Sequence, residues 1–387
     1  MGRFHHQPSS SASRRIVIAP DSFKGSATAA EIADAIAEGW REVNPTDELI
    51  LRPMADGGEG TLDAIIAAVP GSRLVPVRVD GPDDRPVDTH WGLLPSTPAQ
   101  LEGTGVVELA NTSGLGLLDP LRPFYAHTRG FGQAIAAALD SGVSQLILTI
   151  GGSASTDGGV GALRALGARF SDAGGAATAD GNAALAALAT MDFSALRRLP
   201  SGGARLLTDV RSPLLGPTGA AHLFGAQKGA SSKEREQLEA NLAHLLAVTQ
   251  RARGDAQTLS ELPGAGAAGG TGFGLLLWGA VAASGADTVA ELIGLPAAIE
   301  TADVIVTGEG RFDEQTGTGK VVDRVRLMGA RRGVPVALVA GLITTDTTGF
   351  ATTASLSALA GSSDRAYATP LPWARAAGQA MAGRFSL

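Results

Sequence analysis

Apolar residues along the chain gather in short runs that end in glycine-rich, acid-bearing turns. The fullest such run is Leu146-Ile147-Leu148-Thr149-Ile150, whose β-branched and aliphatic residues read as a buried strand. The chain then breaks into Gly151-Gly152-Ser153-Ala154-Ser155-Thr156-Asp157-Gly158-Gly159, after which Val160, Leu163 and Leu166 fall at helical spacing. The same succession recurs. Residues 15–20 predict a strand that opens into Asp21-Ser22-Phe23-Lys24, and residues 29–40 predict a helix with Ile32, Ile36 and Trp40 inward. Residues 48–53 predict a second strand, followed by Asp56-Gly57-Gly58-Glu59-Gly60 and a helix over 62–68. Late in the chain, residues 302–307 predict a strand running into a loop at Gly308-Glu309-Gly310-Arg311-Phe312-Asp313. A helix over 321–332 and a strand over 334–340 follow.

The middle differs. Residues 71–110 alternate strand-like runs with Pro/Gly/Asp turns and carry no long helix, and 111–116 read as a polar loop. Residues 128–141 predict a helix feeding the central strand, 171–189 a loop with a short helix, and 204–210 a strand that stops at Asp209. Residues 232–253 predict a long helix with Leu238, Leu242, Leu245 and Leu246 on its apolar stripe. Alternation of strand and helix at both ends predicts an α/β protein. Its doubly wound domain is built from both termini (15–70 and 291–387), with a second α/β domain inserted at 71–290. Residues 1–14 read as a disordered extension, without the apolar core of a signal peptide.

Composition narrows the chemistry. A chain of 387 residues accommodates two or three domains. A net charge of −7 argues against non-specific binding to nucleic acid or anionic membrane. The absence of cysteine removes disulfides, thiolate nucleophiles and zinc–thiolate sites. The longest apolar tract, 274–284, is too short to span a bilayer, so a cytoplasmic location is expected. Six histidines show no paired metal spacing, and no G-x-S-x-G elbow marks a serine hydrolase. Gly264-Ala265-Gly266-Ala267-Ala268-Gly269 fits G-x-G-x-x-G, but Pro263 and a polar stretch precede it where a strand belongs. Gly319-Lys320 resembles the tail of a Walker A loop, yet Glu314 and Val321 break the pattern.

What remains is a set of acids and cations on loops just after strands: Asp21 with Lys24, Asp56 with Glu59, Asp157, Asp209, and Glu309 with Arg311, Asp313 and Lys320. In a parallel sheet such strand ends share one edge, where ligands bind. Carboxylates and cations on glycine loops suit magnesium-assisted phosphoryl transfer. The Gly151, Gly152, Ser153 and Gly158 loop offers backbone N–H groups to phosphate oxygens. Asp157 in that loop points either to a metal-bridged polyphosphate, with Glu309 as second metal contact, or to a tight turn in which it caps the helix. Gly310, Arg311, Asp313 and Lys320 are expected on the nucleotide as well. Asp209 and Asp56 are candidates for the base, with Asp21 and Lys24 beside them.

These stretches together resemble the class I glycerate kinases, the bacterial ATP-dependent glycerate 2-kinases. The resemblance rests on residues 18–24, 55–61, 151–159, 224–230 (FGAQKGA), 263–270 (PGAGAAGG), 308–313 and 319–320. It implies a flavodoxin-like domain plus a second domain of restriction-endonuclease-like topology, with the active site in the cleft. It further implies ATP and Mg²⁺ as cosubstrate and metal, D-glycerate as acceptor and 2-phosphoglycerate as product. Ser212 stands where the family's D-V-x-N-P-L element has Asn. A monomer or homodimer with no nucleic-acid or membrane partner is expected. The competing readings are a kinase for another small hydroxy acid and an inactive nucleotide- or metabolite-binding protein.

Overall fold

The computed structural model describes residues 13–97, 102–313 and 321–386, so most of the expected N-terminal extension lies outside the described residues. Of that extension, Arg14 is tied down, its guanidinium 2.9 Å from the Asp47 carboxylate. In chain order the strands are β1 (Arg15–Pro20), β2 (Glu48–Leu51), β3 (Arg73–Asp80), β4 (Pro86–Leu94), β5 (Thr104–Glu108), β6 (Gln145–Thr149) and β7 (Arg169–Ser171). They continue with β8 (Thr190–Asp192), β9 (Ala204–Leu207), β10 (Val281–Ala283), β11 (Val304–Phe312), β12 (Val336–Ile343) and β13 (Thr352–Ser355). Among the described residues no helix is long and apolar enough to cross a membrane.

The chain divides into two compact units, one comprising the chain up to Met54 and from Ile293 on, the other Ala55–Leu292. In the first, five strands form an all-parallel sheet ordered β13-β12-β11-β1-β2. Taken first to fifth in chain order, that is the 2-1-3-4-5 order of flavodoxin-type sheets. The helix Ala29–Val43 starts at Thr28, whose capping box with Glu31 satisfies orphan N–H groups at both positions. Its Ile32, Ile36 and Trp40 pack with Ile16, Ile18, Val306 and Met381 in one apolar layer. Val322 of the helix Val321–Arg332 packs with Leu338 and Ala340 in a separate cluster. The order reverses between β1 and β11, the switch point where ligands of such sheets bind.

The second unit holds a six-stranded mixed sheet, β10-β9-β6-β5-β4-β3. Its first four strands run parallel, while β4 pairs antiparallel with both β5 and β3. Its core gathers Phe131, Ile135, Leu146, Leu148, Leu163, Leu242, Leu245 and Phe273.

Several expectations shift. The boundary expected at residue 70 falls after Met54, so the helix Thr61–Ala68 belongs to the second unit. Glu108 at the end of β5 explains why, because its carboxylate accepts from Gly60 N at 3.0 Å and Leu62 N at 2.9 Å. The polar loop expected at 111–116 is a helical turn, Ala110–Ser113, followed by Leu115–Leu117. The loop expected at 171–189 does carry its short helix, Asn182–Leu185, and the hairpin strands β7 and β8 flank it. Glu309, Gly310 and Arg311 are not in a loop but on β11, which runs on to Phe312 because Arg311 and Phe312 pair with Leu342 and Ile343 of β12.

Candidate active site

At the switch point of the first unit, β1 and β11 pair in register through Pro20 and Gly308, and Asp21 N continues the ladder to Gly308 O at 2.8 Å. That bond brings Asp21 level with Glu309 on the neighbouring strand. Both are buried. The chain after Asp21 turns sharply, with Ala27 N and Ser26 N both donating to Phe23 O, and leaves Lys24 exposed on the turn. Gly310 lies against this turn: a Cβ there would come within 3.3 Å of Phe23 Cα and 3.6 Å of Lys24 N. Arg311 pairs with Asp313 at 3.2 Å. Asp21, Lys24, Glu309, Gly310, Arg311 and Asp313 therefore share one unit, and Lys320 lies outside the described residues.

The second unit gathers the other candidates. Its two Asp-Gly-Gly triplets build the same turn, since Asp56 Oδ1 accepts from Gly58 N at 2.9 Å and Asp157 Oδ1 from Gly159 N at 3.1 Å. Each turn leads into a helix, Thr61–Ala68 and Val160–Ala165. The loops then diverge. The 56–60 loop packs on the central loop at Gly151, where a Cβ would meet Gly58 Cα at 2.4 Å, and Gly151 N donates to Gly57 O at 3.3 Å. Gly152 is the exposed member of the central loop.

Asp157 instead points inward, with 0% exposure. Its Oδ2 accepts from Thr128 N at 2.9 Å, Thr128 Oγ1 at 2.8 Å and Gly161 N at 3.1 Å. With Gly159 N on Oδ1, four donors occupy the carboxylate. This is the geometry of a helix cap and loop anchor, the alternative to a metal contact that the sequence left open for Asp157. Gly158 packs inside the protein as well: its N–H donates to Gly269 O at 3.1 Å and a Cβ would strike Leu245.

Asp209 follows β9 and reaches solvent, yet the protein crowded around it displaces enough water to push its carboxyl above the ordinary range. Hydrogen bonds from Ser284, Gly285 and Ala286 oppose that rise, and the neighbouring Asp56 charge adds to it. Gly285 N, at the start of the helix Gly285–Leu292, donates to Asp209 Oδ1 at 3.2 Å. Asp56 and Asp209 thus form an interacting pair of acids within one unit.

Two buried ionisable positions escaped the sequence reading. Glu108 is 5% exposed, and burial foremost pushes its carboxyl up to about 7, helped by Asp63 and Glu59 and opposed by the Leu62 and Gly60 N–H groups. An acid ending the apolar run Val106-Val107 was the available signal. Lys228 is buried beneath the central loop, and burial pulls its ammonium down to about 7 against the opposite pull of Asp157. A lysine inside the small-residue motif 224–230 was its signal.

Parallel strand ends bearing acids, lysine and glycine turns, with a flavodoxin-order sheet in one unit, are the features of an α/β phosphotransferase. Comparison then gives the particular family. The glycerate kinase family profile matches residues 16–383. The chain is 40% identical over 336 residues to glycerate kinase of Bacillus subtilis (strain 168), covering 86% of each chain. It is equally 40% identical over 336 residues to glycerate 2-kinase of Escherichia coli (strain K12), again covering 86% of each. A crystal structure assigned to glycerate kinase 2 from Salmonella typhimurium LT2 superposes with a TM-score of 0.81 at 36% identity, covering 97% of this chain and 98% of that one. The chain belongs to the glycerate kinase family.

Proposed function

We propose that this protein is an ATP-dependent glycerate 2-kinase, moving the γ-phosphoryl group of ATP to the 2-hydroxyl of D-glycerate. The observation that carries this reading is the 40% identity, across 86% of the chain, to a relative named glycerate 2-kinase. The acid-and-glycine turns at the strand ends supply chemistry that suits it.

Each group has a stated task. Gly151, Gly152 and Ser153 receive phosphate oxygens, Gly152 being the point where a ligand can approach the backbone. Lys24 and Arg311 add positive charge for the transferring group, and Lys320 is assigned to the same task. Asp209 accepts the proton of the glycerate hydroxyl, its raised pKa making it a better acceptor than an ordinary aspartate. Burial foremost raises that pKa, and the Asp56 charge adds to the rise.

Magnesium fits the first unit better than the second. The ion keeps several waters and asks the protein for only one or two carboxylates. Asp21, one residue past β1, and Glu309 on β11 provide two, and among the described residues no larger cage of acids and histidines occurs. When bound there, the ion would neutralise charge on the phosphoryl oxygens. A coupled ADP-release assay with and without D-glycerate tests the reading, with phosphorus NMR to separate 2- from 3-phosphoglycerate. ADP release indifferent to D-glycerate would overturn it, and 3-phosphoglycerate as product would overturn the regiochemistry.

A further inference from the structure

Lys228 closes the short turn Ala226–Lys228 and is 1% exposed. A buried ammonium is costly unless fixed donors and charges compensate it, so its surroundings are informative. Nζ donates to the carbonyl of Ser155 and lies 3.5 Å from Ser153 Oγ. The third wall is backbone: a Cβ at Gly269 would stand 2.8 Å from Nζ and 2.0 Å from Ser155 O. The charge that acts on the ammonium is Asp157, the anchor of the same loop.

The stretch that presses on Nζ is itself strained. Ala268, Gly269 and Gly270 are successive left-handed residues, with φ of 53°, 68° and 86°. An alanine keeps that conformation only where its surroundings enforce it. Here Thr271 Oγ1 donates to Ala268 O at 2.7 Å, Ser153 Oγ to Ala268 O at 3.3 Å and Gly158 N to Gly269 O at 3.1 Å. Three separate small-residue stretches, 151–159, 224–230 and 263–270, therefore meet at one ammonium.

We infer that Lys228 is a positioning residue for ATP binding, its ammonium locking the Ser153–Ser155 turn against the Ala268–Gly270 turn and so setting the shape of the phosphate-facing loop. The inference rests on the assignment of the 151–153 loop to ATP phosphates made above. Lys228 does not touch the ligand. Nζ holds the Ser155 carbonyl as a donor and, when protonated, answers the buried Asp157 charge, which no apolar side chain of similar length can do.

Hydrogen exchange and steady-state kinetics on the full-length protein test this. In the wild type, ATP with Mg²⁺ is expected to protect the amides of residues 151–159. In Lys228→Met those amides, and the ones of 266–271, are expected to exchange at least tenfold faster. KM for ATP should rise tenfold or more while KM for D-glycerate stays within twofold. Lys228→Gln, which keeps a donor without the charge, should fall between the two, and carries the test if Lys228→Met does not fold. A folded variant with wild-type loop exchange and wild-type KM for ATP would overturn the inference, leaving Lys228 as packing alone. Equal rises in both KM values would overturn it too, since a general loss of structure predicts that. If ATP leaves the wild-type loop unprotected, the loop assignment itself falls, and this inference with it.

Discussion

Thr128 holds the Asp157 carboxylate twice, through its hydroxyl at 2.8 Å and its backbone N–H at 2.9 Å. Both groups are fully buried, so each bond broken leaves a desolvated polar atom. Thr128→Val is expected to cost roughly 1–3 kcal/mol, and Asp157→Asn at least as much, in urea unfolding. The Mg²⁺ concentration giving half-maximal turnover should stay put in both variants. A raised Mg²⁺ requirement with wild-type stability in Asp157→Asn would restore the metal role.

The metal assignment instead predicts an effect at Asp21 and Glu309. Asp21→Asn and Glu309→Gln should each raise the Mg²⁺ concentration for half-maximal turnover by at least about tenfold, since losing even an outer-shell partner of a metal ligand costs that much. Magnesium titrations at fixed ATP measure this directly. Unchanged titrations in both would move the ion elsewhere.

Asp209 and Asp56 are separable by pH. If Asp209 is the base, Asp209→Asn should lower kcat by about 10²–10⁴-fold while ATP binding by calorimetry stays near wild type. Its raised carboxyl pKa places the acid limb of the kcat profile above the usual aspartate range. Asp56 contributes to that rise, so Asp56→Asn should move the limb to lower pH. A limb that does not move, together with a kcat loss confined to Asp56→Asn, would reverse the two roles.

Glu108 predicts a pH-dependent stability. Its carboxyl is raised from an ordinary 4.5 to about 7 in the folded protein. The folded state therefore holds a proton that the unfolded chain has released. The stability this contributes is fully present below about 4.5 and is lost as pH rises through about 7. Glu108→Gln cannot titrate, so its stability relative to wild type should climb by roughly 3 kcal/mol across that window and then level off. Urea unfolding at several pH values checks this, and a constant difference would refute it.

Much of the first unit was legible. Apolar runs ending in Asp21 and before Asp56, and a late run leading to Glu309, announced parallel strands whose ends carry acids. The continuation of β11 through Arg311 and Phe312 was not, because glycine-rich sequence reads as a turn. Pairing with Leu342 and Ile343, far along the chain, makes it strand. The division after Met54 was hidden for the same kind of reason: Glu108 claims the helix Thr61–Ala68 for the second unit across a long sequence gap.

The sequence by itself determined which turns are made. The two Asp-Gly-Gly triplets specify the same local hydrogen bond, from the N–H of the second glycine to the aspartate. Only the tertiary structure decided what each aspartate does. Asp56 lies where Asp209 feels its charge, whereas Thr128 and Gly161 complete the occupation of Asp157 inside the core. Turn chemistry is short-range and is written in adjacent residues. Burial, and the donors and charges a buried group meets, depend on segments that only folding brings together, as Lys228 shows beneath Ser155 and Gly269.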